Sequence, residues 1–161
     1  MKQSDLSVDN LPVGLHNVLV YWQGLGGEDP GCSWNSFDLL SIPAYLLPTT
    51  MVIDVFPDMD QNRYRFWGSR MTAIHGRDMT GLSPYAIHPP ELSQALRRRH
   101  EKTMHEGKPS ADIFQFEQSS GIIHRHFSLR LPLSNDGQAV HQIVVVVDLS
   151  AEASDYMKSP F

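Results

Sequence analysis

One stretch near the end of the chain constrains the fold more than any other feature. It reads AVHQIVVVVDLS, in which the apolar run 143–147 alternates between the two sides of a strand without a polar residue on either. A strand that is apolar on both sides belongs in the middle of a sheet whose two faces are both covered. The run is also far too short to cross a bilayer. The sequence therefore predicts a central, buried strand.

The chain offers one covering layer for each face of that sheet. Apolar residues at gaps of three and four predict an amphipathic helix over 11–25, with a stripe formed by Leu11, Leu15, Val18, Leu19, Trp22 and Leu25. A longer helix is predicted from about Pro90 to a terminating Gly107, with short helices ahead of it. We expect the first helix to cover one face and the later helices to cover the other.

The remaining periodic segments predict strands. TMVIDVFPD and RYRFWG are read as a hairpin, and SADIFQFEQ, IIHRHFSLRLPL and AVHQIVVVVDLS as a meander. This order predicts an α+β fold with one five-stranded antiparallel sheet, short helices over one face and the N-terminal helix on the other. We expect residues 1–10 to be disordered, 11–49 to be a helical extension, 50–149 to be the core domain and 150–161 to be a tail.

Composition argues against several classes of function. The 161 residues suffice for one domain with its own core, and a net charge of −5 argues against binding nucleic acid, which depends on clustered cations. The single cysteine, Cys32, can form neither an internal disulfide nor a zinc cluster. No charged-then-apolar leader opens the chain, so we expect a soluble, cytoplasmic protein without membrane contact.

The stretch HGRDMTGLSP falls short of a phosphate-binding loop. Four residues separate Gly76 from Gly81, as in a P-loop, but Leu82 stands where the loop needs a lysine to reach the outer phosphates. Pro84 then prevents the chain from running straight into a helix that would receive the phosphate. The sequence therefore does not predict nucleotide hydrolysis, and the glycines need another explanation.

The same region resembles a bacterial subfamily of PAS domains. In that subfamily a strand reading R-[FY]-R-x-x-G runs into a helix and then into G-R-[DE]-x-T-G. The matching residues here are Arg63, Tyr64, Arg65, Gly68, Gly76, Arg77, Asp78, Thr80 and Gly81. The likeness extends over about residues 15–149, and it departs at PGCSW, where the subfamily usually has an arginine soon after the proline.

The resemblance implies an internal cavity roofed by the short helices. Gly76 and Gly81 would allow tight reversals of the chain in that roof. Arg77 and Asp78 would clamp these reversals, and the Thr80 hydroxyl would cap the following turn. The main interpretation of the motif is architectural, and direct ligand contact by Arg77 or Asp78 is the alternative.

Aromatic side chains on the predicted sheet form either core or the wall of a ligand site, and the sequence does not separate these two. Arg125 interrupts the apolar alternation of Ile123, Phe127 and Leu129, and an inward arginine needs a carboxylate partner or an anionic ligand. The predicted ligand-binding set is Tyr64, Phe66, Met71, His75, Arg77, Phe114, Phe116, Arg125 and Phe127.

The histidines and the cysteine do not predict a cofactor. His124 and His126 share a strand face, but two ligands do not make a metal site. Some PAS domains bind heme through one histidine, which leaves His75 or His88 as an alternative. Flavin-binding photosensors of another PAS branch carry a reactive cysteine in N-C-R-F-L-Q, which this sequence lacks, and Cys32 lies ahead of the first strand. We therefore expect neither heme nor flavin, and no metal.

The predicted function is that of a stand-alone PAS sensor or interaction module, which binds a small ligand or a protein partner and relays a signal. No G-x-S-x-G elbow or other catalytic motif is present in the sequence. One alternative is an isomerase-like enzyme that uses a carboxylate in the cavity as its base. Another is a scaffold domain without a ligand. PAS domains commonly pair through an N-terminal helix, so we expect a homodimer that forms through 11–25.

Overall fold

The computed structural model describes residues 2–26, 29–117 and 123–149. In these ranges the chain forms three α-helices, namely α1 Val13–Gly26, α2 Ser69–His75 and α3 Pro90–Glu106. The strands are β1 Lys2–Leu6, β2 Thr50–Asp54, β3 Arg63–Trp67, β4 Ser110–Glu117, β5 Ile123–Leu133 and β6 Gln142–Asp148. Short 3₁₀ turns occupy Val8–Asn10, Trp34–Ser36, Leu39–Ser41, Leu47–Thr49, Met59–Gln61 and Pro84–Ala86. The fold is α+β, as predicted.

The strands form one antiparallel sheet in the order β1-β4-β5-β6-β2-β3. The strand β6 lies inside the sheet, with Val145 opposite Met51 of β2 and Val144 opposite Leu131 of β5. Every residue of β6 is buried. The prediction of a central strand covered on both faces is therefore confirmed.

The sheet has six strands instead of the predicted five. Residues Lys2–Leu6, which we expected to be disordered, form β1 at one edge and pair with β4, so that Gln3 lies opposite Phe114. The sequence KQSDL has no apolar alternation, and its order comes from backbone pairing with β4 and from a 2.7 Å hydrogen bond that the Gln3 amide donates to Asp112. The predicted tail 150–161 lies outside the described residues.

Helix α1 covers one face of the sheet. The buried residues Leu15, Val18, Leu19 and Trp22 belong to the same core as the sheet residues Val52, Phe127, Leu129, Leu131, Leu133, Val144 and Val146. The indole of Trp22 also donates a 2.8 Å hydrogen bond to the carbonyl of Pro132. The predicted apolar stripe is therefore used for packing on the sheet of its own chain. No helix in the described ranges is long and apolar enough to span a bilayer.

The other face is covered by α2, α3 and the turns between them. Its core contains residues from both the sheet and the covering segment: Met51, Ile53, Tyr64, Trp67, Met71, Met79, Ile87, Ile143, Val145 and Val147. As predicted, α2 ends at Gly76, whose φ of +77° favours glycine, and α3 ends at Gly107. Each face of the sheet therefore has its own hydrophobic core.

The G-R-D-x-T-G segment holds the roof against β3. The amide of Gly81 donates a 2.8 Å hydrogen bond to the carbonyl of Tyr64, and the Tyr64 amide donates to Leu82 at 3.0 Å. Asp78 accepts hydrogen bonds from both the amide and the hydroxyl of Thr80, at 2.9 and 2.7 Å. These contacts favour the architectural interpretation of the motif. The Thr80 hydroxyl, however, bonds back to Asp78, and Ser83 caps the following turn by accepting from the Tyr85 amide.

Candidate functional site

A cavity of about 50 Å³ lies between the sheet and the helices of the second face. Its roof is formed by α2, the loop after it and the first half of α3, which contribute Met71, His75, Ile87, Leu92 and Leu96. Its floor is formed by the five strands β2 to β6, which contribute Met51, Tyr64, Phe114, His126, Ser128, Arg130, Val145 and Val147. This cavity, which lies within the core of the second face, is the candidate site.

An irregularity between β2 and β3 directs two aromatic rings toward this face. Val52 pairs with Phe66, but the next residue, Ile53, pairs with Tyr64, so that Arg65 is an extra residue in the strand. Tyr64 and Trp67 therefore lie on the same face although they are three residues apart, and their rings meet edge to face at 4.8 Å. Phe66 is left on the opposite face, where it is half-buried against the α1 core.

Strand β5 supplies the polar part of the cavity floor. His126, Ser128 and Arg130 are buried at alternate positions and all three line the cavity. The residues between them, such as Phe127 and Leu129, point into the α1 core. A strand inside a sheet that is covered on both faces has no solvent side, so these polar side chains must be accommodated within the protein.

The guanidinium of Arg130 is the most deeply buried cation in the described part of the chain, with 1% of its side chain exposed. Its Nη1 donates a 2.7 Å hydrogen bond to Oδ1 of Asp112 on β4, which is equally buried. The other carboxylate oxygen of Asp112 lies 3.3 Å from Nε of Arg99 and accepts from Gln3. Arg99 pairs in turn with the exposed Asp5. A chain of ion pairs thus leads from the cavity to β1 at the surface.

Both carboxylate oxygens of Asp112 have a donor, whereas Arg130 has an N–H without an acceptor. The Nε of Arg130 is buried and has no hydrogen-bond acceptor among the described residues. A buried N–H without an acceptor is destabilising, because it has lost its hydrogen bonds to water without replacement. Arg130 therefore lines the cavity and retains an N–H donor without an acceptor among the described residues.

The charge of Arg130 affects the titration of its neighbours. Burial raises the pKa of the Tyr64 phenol well above its ordinary value, and the Arg130 charge opposes part of this rise. Burial and the Arg130 charge together lower the pKa of His100 on α3 to about 3. His100 is therefore neutral near pH 7, with its Nδ1 3.0 Å from the Tyr85 hydroxyl. Burial also lowers the pKa of His75.

Four of the nine predicted ligand-binding residues line the cavity, namely Tyr64, Met71, His75 and Phe114. Phe66 and Phe127 belong to the α1 core on the opposite face. Arg77 is exposed in the roof loop, and the side chain of Phe116 lies outside what the structure describes. The predicted set is therefore divided between the two faces of the sheet.

Arg125 does not line this cavity, and its described partner is not a carboxylate. Arg125 is only half-buried, and its Nε donates a 3.2 Å hydrogen bond to the neutral amide oxygen of Gln115 on the neighbouring strand. The arginine that has a buried carboxylate partner is Arg130, five residues later and on the other face. Strand alternation alone places these two residues on opposite faces, but it does not say which of the two faces contains the cavity.

The residues considered for cofactors are dispersed. His75 lines the cavity, whereas His88 is exposed. Cys32 is buried in the core on the α1 face, and burial raises the pKa of its thiol. Across the residues that the structure describes, no three His, Cys, Asp or Glu side chains form a group that could hold a metal ion. The side chain of His124, which was expected to share a strand face with His126, lies outside the described residues.

Solved structures with a similar fold are PAS and LOV domains. A structure described as an RNA-binding light-oxygen-voltage receptor matches with a TM-score of 0.56 and 11% identity, over 98% of this chain and 41% of that one. The Aureochrome1 LOV domain of a blue-light photoreceptor matches with a TM-score of 0.49 and 15% identity, over 70% of this chain and 87% of that one. A PAS domain from Colwellia psychrerythraea matches with a TM-score of 0.44 and 14% identity, over 60% of this chain and 81% of that one.

No protein-family model matches the chain, and a search of curated proteins also finds no match. The likeness to solved structures therefore concerns the fold alone. The fold is an α+β fold similar to that of the light-oxygen-voltage receptor, with an antiparallel sheet whose one face is roofed by short helices and whose other face is covered by an N-terminal helix.

Proposed function

We propose that this chain is a PAS-type sensory module, which binds a small molecule in the cavity beneath α2 and α3 and relays the occupied state to a partner. The observation that carries the proposal is a cavity whose wall is apolar except for a few converging polar groups, one of them the buried Arg130. Ligand sites in proteins are typically built in this way. Membership of the bacterial PAS subfamily with the motif at 63–81 is part of the proposal.

The proposal includes no catalysis by the chain itself. The isomerase-like alternative requires a carboxylate in the cavity to act as a base. Among the described residues that line the cavity there is no Asp or Glu. The nearby carboxylate of Asp112 is engaged by Arg130, Arg99 and Gln3, which leaves it poorly placed to accept a proton from a substrate.

A flavin or heme does not fit the cavity in its present form. Pockets for ligands of that size are about 300–1,000 Å³, whereas this cavity measures about 50 Å³. One similar structure is described as a flavin-analogue study of a LOV domain. In this chain the single cysteine, Cys32, lies on the other side of the sheet from the cavity. We therefore keep the prediction that the purified protein is colourless.

The recipient of the signal is a second copy of the chain or another protein in the cytoplasm. We keep the proposed homodimer through α1, but the stripe that suggested it is buried within the chain. The outer side of α1 has Val13 and Val20 exposed at 53% and 50%, and this side is the surface left for pairing. Nucleic acid is not proposed as a partner, because the net charge is −5.

Filling the cavity tests the proposal. The variant Ser128→Leu places a larger apolar side chain in the floor, and Ser41→Leu makes the same exchange at an exposed position. Each protein is incubated with the small-molecule fraction of a cell extract and analysed by native mass spectrometry and visible absorption. We expect one added mass on the wild type and on Ser41→Leu, its loss from Ser128→Leu, and no Soret or flavin band.

Two results would contradict the proposal. One is that no small molecule adds to the wild type under any of these conditions. The other is that the same molecule adds equally to Ser128→Leu, with circular dichroism showing that the variant is folded. A heme or flavin band that survives dialysis would leave the sensory role in place but overturn the prediction of a colourless protein.

A further inference from the structure

We propose that the cavity binds a short-chain monocarboxylate, whose carboxylate accepts a hydrogen bond from Nε of Arg130 and whose alkyl group lies against the apolar wall. This inference rests on the proposed ligand-binding function and names the chemical class of the ligand. It concerns a residue that the sequence analysis did not select. Three independent features of the cavity lead to it, namely an unpartnered donor, the sign of the charge and the available space.

The first feature is the donor itself. Arg130 is 1% exposed, lines the cavity, and has an Nε without an acceptor among the described residues. The same guanidinium is fixed through Nη1 by a 2.7 Å hydrogen bond to Asp112, so its orientation is set before any ligand enters. A carboxylate oxygen is a suitable acceptor for this donor, because hydrogen bonds between two charged groups are stronger than neutral ones.

The second feature is the local balance of charge. Asp112 is shared between Arg130 and Arg99, so one buried carboxylate faces two cations. The second carboxylate of the network, Asp5, has 74% of its side chain exposed and is screened by water. No other formal charge lines the cavity near pH 7 among the described acidic and basic residues, apart from the histidines. The wall around Arg130 therefore favours one negative charge and does not provide for a second.

The third feature is the space beside Arg130. The cavity of about 50 Å³ has room for about four water-sized groups, at the 10–15 Å³ that each requires. Linked carbon atoms lie closer together than water molecules, so a carboxylate with two or three carbons fits. Much of the remaining lining, in both floor and roof, is apolar and includes Met51, Met71, Leu92, Val145 and Val147. These dimensions favour an acid such as propanoate over a dicarboxylate or a larger ring system.

Propanoate is the probe, and propanamide is its matched control, because the two have nearly the same shape and differ in charge. Binding is followed by two-dimensional ¹⁵N NMR, which also reports the Nε–H signal of Arg130. We expect propanoate to shift that signal and to bind at least tenfold more tightly than propanamide. Formate lacks the alkyl group and should bind about tenfold more weakly than propanoate, because two buried carbons are lost.

Two substitutions test whether Arg130 is the residue that binds propanoate. Arg130→Lys keeps a positive charge beside Asp112 but has no Nε–H, and we expect at least a tenfold loss of propanoate affinity. Arg125→Lys makes the same exchange on the same strand but on the opposite face, where Arg125 contacts Gln115. We expect it to bind propanoate as the wild type does. Circular dichroism and the remaining NMR signals establish that both variants are folded.

Xenon separates failure of this inference from failure of the proposed function, because it enters apolar cavities without needing a hydrogen bond. The monocarboxylate assignment is wrong if propanamide binds as tightly as propanoate, if Arg130→Lys binds propanoate normally, or if xenon shifts the cavity signals and propanoate does not. If neither xenon nor any of the three organic probes shifts them, the cavity is not a ligand site and the proposed function fails as well. An Arg130→Lys protein that does not fold is replaced by Ser128→Leu, which must then lose propanoate binding.

Discussion

The two faces of the sheet differ in the side chains that strand β5 buries on each of them. On the α1 face, β5 contributes Phe127, Leu129, Leu131 and Leu133, all completely buried in an apolar core. On the other face the same strand contributes His126, Ser128 and Arg130, which are also buried but polar. Burial is thus equal on the two sides, and the cavity beside Arg130 lies on the second of them.

The difference indicates which face of the sheet is packed less favourably. Apolar packing without cavities is the most favourable way to fill a core. A buried arginine with an unpartnered Nε and an adjacent cavity is less favourable, because desolvation of the charge is only partly offset by Asp112. The α1 face therefore contributes apolar packing, whereas the cavity face carries the cost of a buried charge and of an unfilled space.

Removal of Asp112 should have the largest effect on stability. It would leave Arg130 without its buried partner and deprive Arg99 and Gln3 of an acceptor. We expect Asp112→Ala to lower the free energy of unfolding by about 3–5 kcal/mol, as for other broken buried ion pairs. Urea denaturation followed by circular dichroism measures this change.

Two variants serve as controls for the ion pair. Asp54→Ala removes a carboxylate that lies 2.7 Å from Arg65 near the surface, and it should cost about 1 kcal/mol or less. Combining Asp112→Leu with Arg130→Met removes both buried charges and should recover part of the stability lost by Asp112→Ala. If Asp112→Ala lowers the free energy of unfolding no more than Asp54→Ala does, Arg130 does not behave as a buried charge that needs its partner. The contrast drawn between the two faces is then wrong.

The next largest effect compares two neighbours on β6. Val146 points into the α1 core and Val147 lines the cavity. We expect Val146→Ala to cost about 2–3 kcal/mol, because it creates a new void in a closely packed core. Val147→Ala should cost about 1–2 kcal/mol, because it only enlarges a cavity that already exists. Equal losses in urea denaturation would show that the two faces are packed to the same density.

The elements of the fold could largely be predicted from the sequence, because their signals are local. The gaps of three and four in 11–25, the glycines that end α2 and α3, and the apolar run 143–147 each depend on a few adjacent residues. The strand β1 could not be predicted in this way. KQSDL has no apolar period, and its partner β4 is more than one hundred residues further along the chain. Pairing between strands so far apart in the chain depends on the folded sheet and leaves no local pattern in the sequence.

The candidate site could be predicted only in part, because the sequence does not say which side of a strand faces which core. The extra residue Arg65 in β3 changes the alternation and separates Phe66 from Tyr64. A usable signal for Arg130 was nevertheless present. If β6 is apolar on both sides, its neighbour β5 is also covered twice, and polar residues at alternate positions of β5 must then be buried. Polar alternation in such a strand indicates a site.

A smaller effect concerns acid stability on the cavity face. The pKa of His100 is lowered to about 3 by burial and by the Arg130 charge, while an unfolded chain has the ordinary value of 6.5. Between these two values the unfolded state binds the proton more tightly, so the contribution of His100 to stability is present above pH 6.5 and is lost as the pH falls toward 3. We expect His100 to add about 1 kcal/mol per pH unit to the acid sensitivity of the protein in that window.

The variant His100→Gln isolates this contribution, because other groups also titrate in the same range. Urea denaturation at several values between pH 6.5 and pH 4 should show a shallower decline for His100→Gln than for the wild type. The variant is expected to be less stable at pH 7, because the Tyr85 hydroxyl loses its contact with His100 and keeps only the hydrogen bond from Asn62. If the free energy of unfolding declines equally with pH in both proteins, His100 binds a proton in the folded protein as readily as in the unfolded chain.

The smallest effect on stability is expected on the outer side of α1. Buried and exposed residues of this helix differ in whether they can test the proposed dimer. Leu15 is completely buried, so Leu15→Glu would unfold the chain and say nothing about pairing. Val20 is 50% exposed on the same helix. We expect Val20→Glu to change the free energy of unfolding by about 0.5 kcal/mol or less, yet to convert the proposed dimer to a monomer.

Light scattering gives the mass, and Phe56→Glu, at an exposed position outside α1, should remain dimeric. A Val20→Glu protein that stays dimeric, or a wild type that is monomeric at high micromolar concentration, would mean that α1 only covers the sheet of its own chain.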